Sequence, residues 1–218
     1  MENRIELEKL LEKKYDNTVA IIVNKNGNKI YEYYSNKGSE DSPIHIFSVT
    51  KSIISLLIGI AIDKGFIKSV DQKILEFFPE YVVSKNESTL QKITLKDMLT
   101  MTAPYKYRIP PYTKFFTSED WVKFSLDMLG GNGKIGKFKY APLIGPDIFS
   151  AIISRTSGLT VLEFANKYLF DPLEIKVPES IYFKTKEEQM EFYNSRTARG
   201  WVAGPTGVNT GGWGLIQP

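Results

Sequence analysis

One stretch limits what this chain can fold into more than any other. It runs Phe47-Ser48-Val49-Thr50-Lys51-Ser52-Ile53-Ile54-Ser55-Leu56-Leu57-Ile58-Gly59-Ile60-Ala61-Ile62. The pattern predicts one mostly apolar helix from Ser48 to about Lys64, with Gly65 as its natural stop. A helix that is apolar on nearly all sides is expected in an interior. Ser48 sits at its start, and Lys51 follows one turn later on the same face.

That lysine stands in an unfavourable place. The start of a helix carries partial positive charge, so a cation in its first turn is disfavoured by roughly 0.3–1 kcal/mol. Desolvation and the helix dipole both favour the neutral amine, which makes Lys51 a candidate proton acceptor. Ser48 is the neighbouring group with a proton to lose. The Ser48 backbone N–H, at the helix start, is a candidate donor to a developing oxyanion. The same residues also fit a plain helix start, with Ser48 as cap and Lys51 reaching out to water. The spacing alone leaves both readings open.

Composition removes the competing chemistries. The 218 residues contain no cysteine, which excludes disulfides and thiolate metal sites. The single histidine, His45, rules out multi-histidine metal sites and argues against a Ser-His-Asp triad. His45 is read as structural, and lysine is the available base. No metal and no cofactor are expected. With 28 basic and 25 acidic residues, the net charge of +3 is too balanced to imply nucleic acid or membrane binding. The charged start, Met1 to Leu7, lacks the apolar core of a secretory signal. No run reaches the roughly 18 apolar residues of a membrane span. The expected location is therefore cytoplasmic.

Local signals give the remaining elements. Residues 3–14 read as an amphipathic helix. Residues 18–23 and 29–34 read as strands of a hairpin turning at Asn26-Gly27, in a loop somewhat longer than two residues. Thr94-Leu95-Lys96-Asp97 is a cap signature for a short helix to Met101. The aromatic, proline-rich loop 105–112 fits a substrate-facing wall and a packed surface loop equally well. Residues 121–129 show both strand and helix periodicity, and the preceding cap and following Gly130-Gly131 favour helix. Gly131-Asn132-Gly133-Lys134-Ile135-Gly136-Lys137-Phe138 imitates two nucleotide-binding patterns. Both need a helix opening at that point, and Pro142 and Pro146 follow instead, so a plain turn is expected. Helices are expected over 147–155, over 161–170 after the Thr160 capping box, and from the Thr185 box to about Asn194.

Three successive stretches carry a family resemblance: FSVTKSIISLLIGIAIDKGFIKSVDQKI, ITLKDMLTMTAP and SAIISRTSGLTVLEFANKYLFDPLEI. They closely resemble the serine β-lactamase and penicillin-binding protein family, in its class C β-lactamase, esterase and D-alanyl-D-alanine peptidase branch. The resemblance covers most of residues 18–216, in order. It implies a two-lobed α+β fold, with an antiparallel sheet, flanking helices and a helical lobe. Residues 1–218 then form a single β-lactamase-like domain: the sheet hairpin at 18–34, the nucleophile helix at 48–64 and the helical lobe at about 70–180.

The resemblance implies a serine hydrolase with Ser48 as nucleophile and Lys51 and Tyr140 sharing the proton work. Its substrate is a small acyl compound with an ester, amide or β-lactam carbonyl. Tyr140 matches the tyrosine of the family's Tyr-x-Asn motif, while Pro142 stands where asparagine is usual. That departure removes an amide that would hold Lys51 and the substrate carbonyl, and it weakens a β-lactamase reading more than an esterase or peptidase reading. The segment 200–215 resembles the glycine-rich stretch beside the family's cleft. The third family motif, Lys-Thr-Gly or His-x-Gly, has no counterpart here. The chain is therefore expected to be the N-terminal portion of the fold, lacking its C-terminal strands. Turnover is expected to be impaired, and the open sheet edge is expected to invite self-association or a complementing chain. The alternative is a non-catalytic ligand-binding or sensor protein on the same scaffold.

Overall fold

The computed structural model describes residues 2–35, 38–195 and 198–217. They form two compact units, residues 1–44 and residues 45–217.

The first unit holds helix α1 (Glu2–Lys14) and a hairpin of β1 (Ala20–Lys25) and β2 (Asn28–Tyr34). The strands pair antiparallel from Ala20–Tyr34 to Lys25–Asn28, with the register shifting between Val23 and Asn24. The turn has only two residues, shorter than the sequence suggested. Asn26 and Gly27 both take left-handed backbone angles, φ 52° and 80°, the geometry that matches the twist of paired strands. Arg4 pairs with Glu8 at 2.8 Å within α1 and ties the helix to the hairpin by donating to the Glu32 carbonyl at 3.4 Å. Ile22, Val23 and Ile30 are exposed on this two-stranded sheet.

A two-residue strand, β3 (Ile44–His45), leads to a single 3-10 turn, Phe47–Val49, and then to α2 (Thr50–Asp63). Gly65, at φ 77°, closes that helix as expected. The expected all-round burial of α2 is not observed. Ile54, Leu57, Ile58 and Ala61 are buried, but Leu56 is 55% exposed. Among the described residues, one face of α2 is buried, chiefly against the helix α6 (Asp147–Ser157).

Between them lie α3 (Leu95–Leu99), α4 (Tyr112–Phe116) and α5 (Trp121–Met128). The Thr94 hydroxyl accepts the Asp97 N–H at 3.1 Å and the Asp97 carboxylate accepts the Thr94 N–H at 2.9 Å, a complete capping box. The helix ends at Leu99, short of the expected Met101, which takes φ 56°. Residues 121–128 resolve as helix because Asp120 caps them by accepting the Lys123 N–H. Gly158 closes α6 at φ 73°. After it come α7 (Val161–Ala165), a π-helical turn at Asn166–Phe170, β4 (Ser180–Ile181), α8 (Lys186–Asn194), β5 (Gly200–Val202) and β6 (Leu215–Gln217).

The core of this unit packs α2, α6 and α7 around Leu57, Ile152 and Phe164, with Trp201 of β5 fully buried among them. Strand β5 pairs parallel to β4 and antiparallel to β6. The Ile46 N–H donates to the Leu215 carbonyl at 3.1 Å, so β6 fixes the chain two residues before Ser48. Among the described residues, no single helix is long and apolar enough to cross a membrane.

Candidate active site

Ser48 lies at a sharp corner between β3 and α2. Phe47, just before it, is left-handed at φ 43°, a strained conformation for a residue with a side chain. The corner is held by two bonds. The Phe47 N–H donates to Nδ1 of His45 at 3.0 Å, and the Val49 N–H donates to the Ile46 carbonyl at 3.0 Å. The result is an exposed Ser48 whose own N–H lies ahead of the first bond of the turn.

The three residues picked out from the sequence come together here. Nζ of Lys51 stands 3.1 Å from Oγ of Ser48. The Tyr140 hydroxyl stands 3.2 Å from the same Oγ and is placed to donate to it. Nζ of Lys51 also lies 5.6 Å from the centre of the Tyr140 ring. The Lys51–Ser48 pair follows from helix spacing alone. Tyr140 arrives from 92 residues away on a segment anchored by its neighbours. The Gly136 N–H donates to the Thr102 carbonyl at 3.0 Å, and the Lys139 N–H to the Met101 carbonyl at 2.8 Å. The glycine stretch 131–138 thus serves as the turn that delivers Tyr140, and no helix opens at Gly136.

Two further partners of Lys51 were invisible in the sequence because they are backbone atoms. Nζ lies 2.7 Å from the carbonyl oxygen of Pro142 and 2.7 Å from that of Gly212. The asparagine missing at position 142 is therefore replaced, as far as Lys51 is concerned, by a main-chain carbonyl. Three polar atoms surround one nitrogen, and valence sets the consequence. A neutral amine has two hydrogens and one lone pair. With both hydrogens given to the two carbonyls, the lone pair faces the Ser48 hydroxyl.

Burial works toward that state. Burial lowers the Lys51 pKa below that of an ordinary lysine, while Tyr140 and Asp147 pull the other way. Beside Lys51 is a small cavity of about 50 Å³, walled by Met98, Met101, Tyr105, Ala141 and Phe149. Tyr105 belongs to the aromatic loop that the sequence left undecided. Burial raises its phenol pKa above the ordinary range, so it stays neutral. Among the described residues, no cluster of three His, Asp or Glu side chains is able to hold a metal ion.

The Beta-lactamase family model matches residues 7–213. The chain belongs to the beta-lactamase family. Its fold is β-lactamase/transpeptidase-like, a mixture of helices and small sheets. A 6-aminohexanoate-dimer hydrolase of Paenarthrobacter ureafaciens is 26% identical over 173 residues, covering 72% of this chain and 43% of the hydrolase. An uncharacterised protein of Alkalihalophilus pseudofirmus is 27% identical over 167 residues, covering 72% of this chain and 42% of that protein. Among solved structures, the octameric penicillin-binding protein homologue of Pyrococcus abyssi superposes with a TM-score of 0.65 at 20% identity, over 100% of this chain and 54% of that one. That likeness is one of fold. This beta-lactamase-family chain spans less than half the length of the curated relatives it matches.

Proposed function

We propose that residues 45–217 carry the nucleophilic centre of a serine hydrolase that works through a covalent acyl-enzyme. The observation that carries this reading is the placement of one Ser48 oxygen between Lys51 Nζ and the Tyr140 hydroxyl, at 3.1 and 3.2 Å. The Ser48 proton passes to the Lys51 amine as Oγ attacks the substrate carbonyl carbon. The carbonyl oxygen takes up the negative charge, with the Ser48 N–H as its first donor. When the intermediate collapses, the bond to the leaving group breaks. The Tyr140 hydroxyl gives that group its proton and is reprotonated by the Lys51 ammonium. Water then attacks the Ser48 ester and releases the acid. No step requires a metal or cofactor.

The substrate class is a small molecule with an ester, amide or β-lactam carbonyl. Because the chain spans less than half of its relatives' length, the activity and substrates of the whole protein are part of this proposal. We also propose that the hairpin edge pairs with a second copy or a complementing chain. Its exposed Ile22, Val23 and Ile30, and the octameric state of the Pyrococcus relative, support that reading.

The deciding experiment is intact mass after exposure to a fluorophosphonate and, separately, to a penicillin, with Ser48→Ala as control. An adduct mapped to Ser48 and lost in Ser48→Ala supports the hydrolase. Hydrolysis of 6-aminohexanoate dimer, a nitrophenyl ester and a chromogenic cephalosporin would then sort the substrates. A folded chain with no adduct from either probe supports the alternative, a ligand-binding protein on the same scaffold.

A further inference from the structure

Asp147 opens α6 and is only 2% exposed. An aspartate in the first turn of a helix complements the dipole, so from sequence it looks unremarkable. Its contacts give it a more specific place. Oδ1 accepts the backbone N–H of Gly211 at 2.8 Å. Among the described residues, Oδ2 has no hydrogen-bond partner, and neither has Oγ of Ser150 one turn further along α6. The backbone at Gly211 is pressed onto this helix: a Cβ there would collide with the Pro146 carbonyl oxygen and stand 3.2 Å from Ser150 Oγ. The next residue, Gly212, supplies the carbonyl that receives Lys51. A Cβ on Gly212 would stand 3.2 Å from the Pro142 carbonyl oxygen, so the two Lys51 acceptors lie side by side. Behind this loop, the Trp201 indole donates to the Thr210 carbonyl at 2.9 Å.

We propose that Asp147 is a positioning residue for Lys51. It holds the Gly211–Gly212 backbone so that the Gly212 carbonyl oxygen meets Nζ, and it sets a negative charge behind that backbone. The proposal rests on the reading of Lys51 as the proton acceptor of Ser48. A neutral acceptor would be enough to anchor Gly211, so a carboxylate buried at this depth calls for a second role. Burial raises the Asp147 pKa to about 7, against the Gly211 N–H and the Lys51 charge. The titratable groups that bear on Lys51 are Tyr140 and Asp147, and Lys51 in turn bears on Asp147. As Asp147 ionises, it strengthens the hold of Lys51 on its proton.

Two variants separate the anchor from the charge. Asp147→Asn keeps an oxygen for the Gly211 N–H and removes the charge. Asp147→Ala removes both. The readouts are a carbon-13 NMR titration of Lys51 Cε, assigned with Lys51→Met, and the rate of Ser48 labelling by a fluorophosphonate across pH. In Asp147→Asn, the Lys51 titration and the rising limb of the labelling profile both move to lower pH, while the plateau stays near that of the parent. In Asp147→Ala, the plateau itself falls by about 10- to 100-fold, the usual cost of a displaced reacting group. An unshifted Lys51 titration in Asp147→Asn, or a parental plateau in folded Asp147→Ala, overturns the proposal. If the parent gives no Ser48 adduct, the hydrolase reading fails by itself. The Lys51 titration in Asp147→Asn, which needs no catalysis and no Asp147→Ala protein, still decides the role of Asp147.

Discussion

Lys51 donates from Nζ to the main-chain oxygen of Pro142 at 2.7 Å, across 91 residues of chain. Because the acceptor is backbone, the residue type at position 142 does not make the contact. Pro142→Ala is therefore expected to leave Ser48 labelling close to the parental rate. Changing the lysine should have the opposite outcome. Lys51→Arg keeps the charge but stays protonated and has no lone pair to offer Ser48. Its labelling should fall to the level of Lys51→Met. Time courses of intact mass with a fluorophosphonate compare the variants, and a Lys51→Arg protein that labels at the parental rate would remove Lys51 from the proton path.

Tyr140 is tested by deleting one atom. Its hydroxyl lies 3.2 Å from Ser48 Oγ, and the residue is 48% exposed. Tyr140→Phe keeps the ring beside Lys51, so stability should change by no more than about 0.5 kcal/mol. The acylation rate should fall by about 100- to 10,000-fold, the range for losing a positioned proton donor. Urea melts and labelling rates measured on the same sample check both halves. Parental labelling in a folded Tyr140→Phe protein would leave Tyr140 as a wall of the site only.

How much of this could be read in advance follows from the range of each signal. The Thr94 and Thr160 capping boxes, the place of the Asn26-Gly27 turn and the Gly65 stop depend on four or five neighbouring residues, and the structure repeats them. Ser48 and Lys51 are one helical turn apart, so spacing alone predicted their contact, but choosing nucleophile and base over a plain helix start needed the family resemblance. Tyr140 needed the family resemblance, since no local spacing ties it to Ser48. The short strands β4, β5 and β6 were missed because their pairing joins residues far apart in sequence. The two carbonyls on Lys51 were missed because residue identity carries no information about a main-chain oxygen. The burial of α2 was overstated for a related reason: an apolar face is buried only where a neighbour covers it. That yields a prediction. Leu57 is fully buried against the core and Leu56 is 55% exposed, one residue along the same helix. Leu57→Ala should cost about 2–5 kcal/mol. Leu56→Ser should stay within about 0.5 kcal/mol. Equal losses in urea unfolding would contradict the one-sided packing of α2.

The last prediction concerns His45, which holds the corner ahead of Ser48. Its Nδ1 accepts the Phe47 N–H, so the ring must be neutral for that bond to exist. Phe47, Phe192, Tyr193 and Trp213 surround the ring and bring no carboxylate to it. Burial accordingly lowers the His45 pKa below its ordinary value. The sign follows directly. Above the unfolded value of about 6.5, histidine is neutral in both states and the contribution of His45 to stability is fully present. As pH falls below that value, the unfolded chain takes up the proton first, and the contribution is lost down through the folded pKa. Urea unfolding between pH 8 and pH 5 should therefore show stability declining on the acid side. His45→Asn offers a side-chain oxygen in place of Nδ1 and does not titrate, so its decline over the same range should be shallower. Ser48 labelling should fall together with stability in the parent, because protonation breaks the bond that keeps Phe47 left-handed one residue before the nucleophile. If the parent and His45→Asn lose stability in parallel as pH drops, the acid sensitivity lies elsewhere and the corner does not depend on a neutral His45.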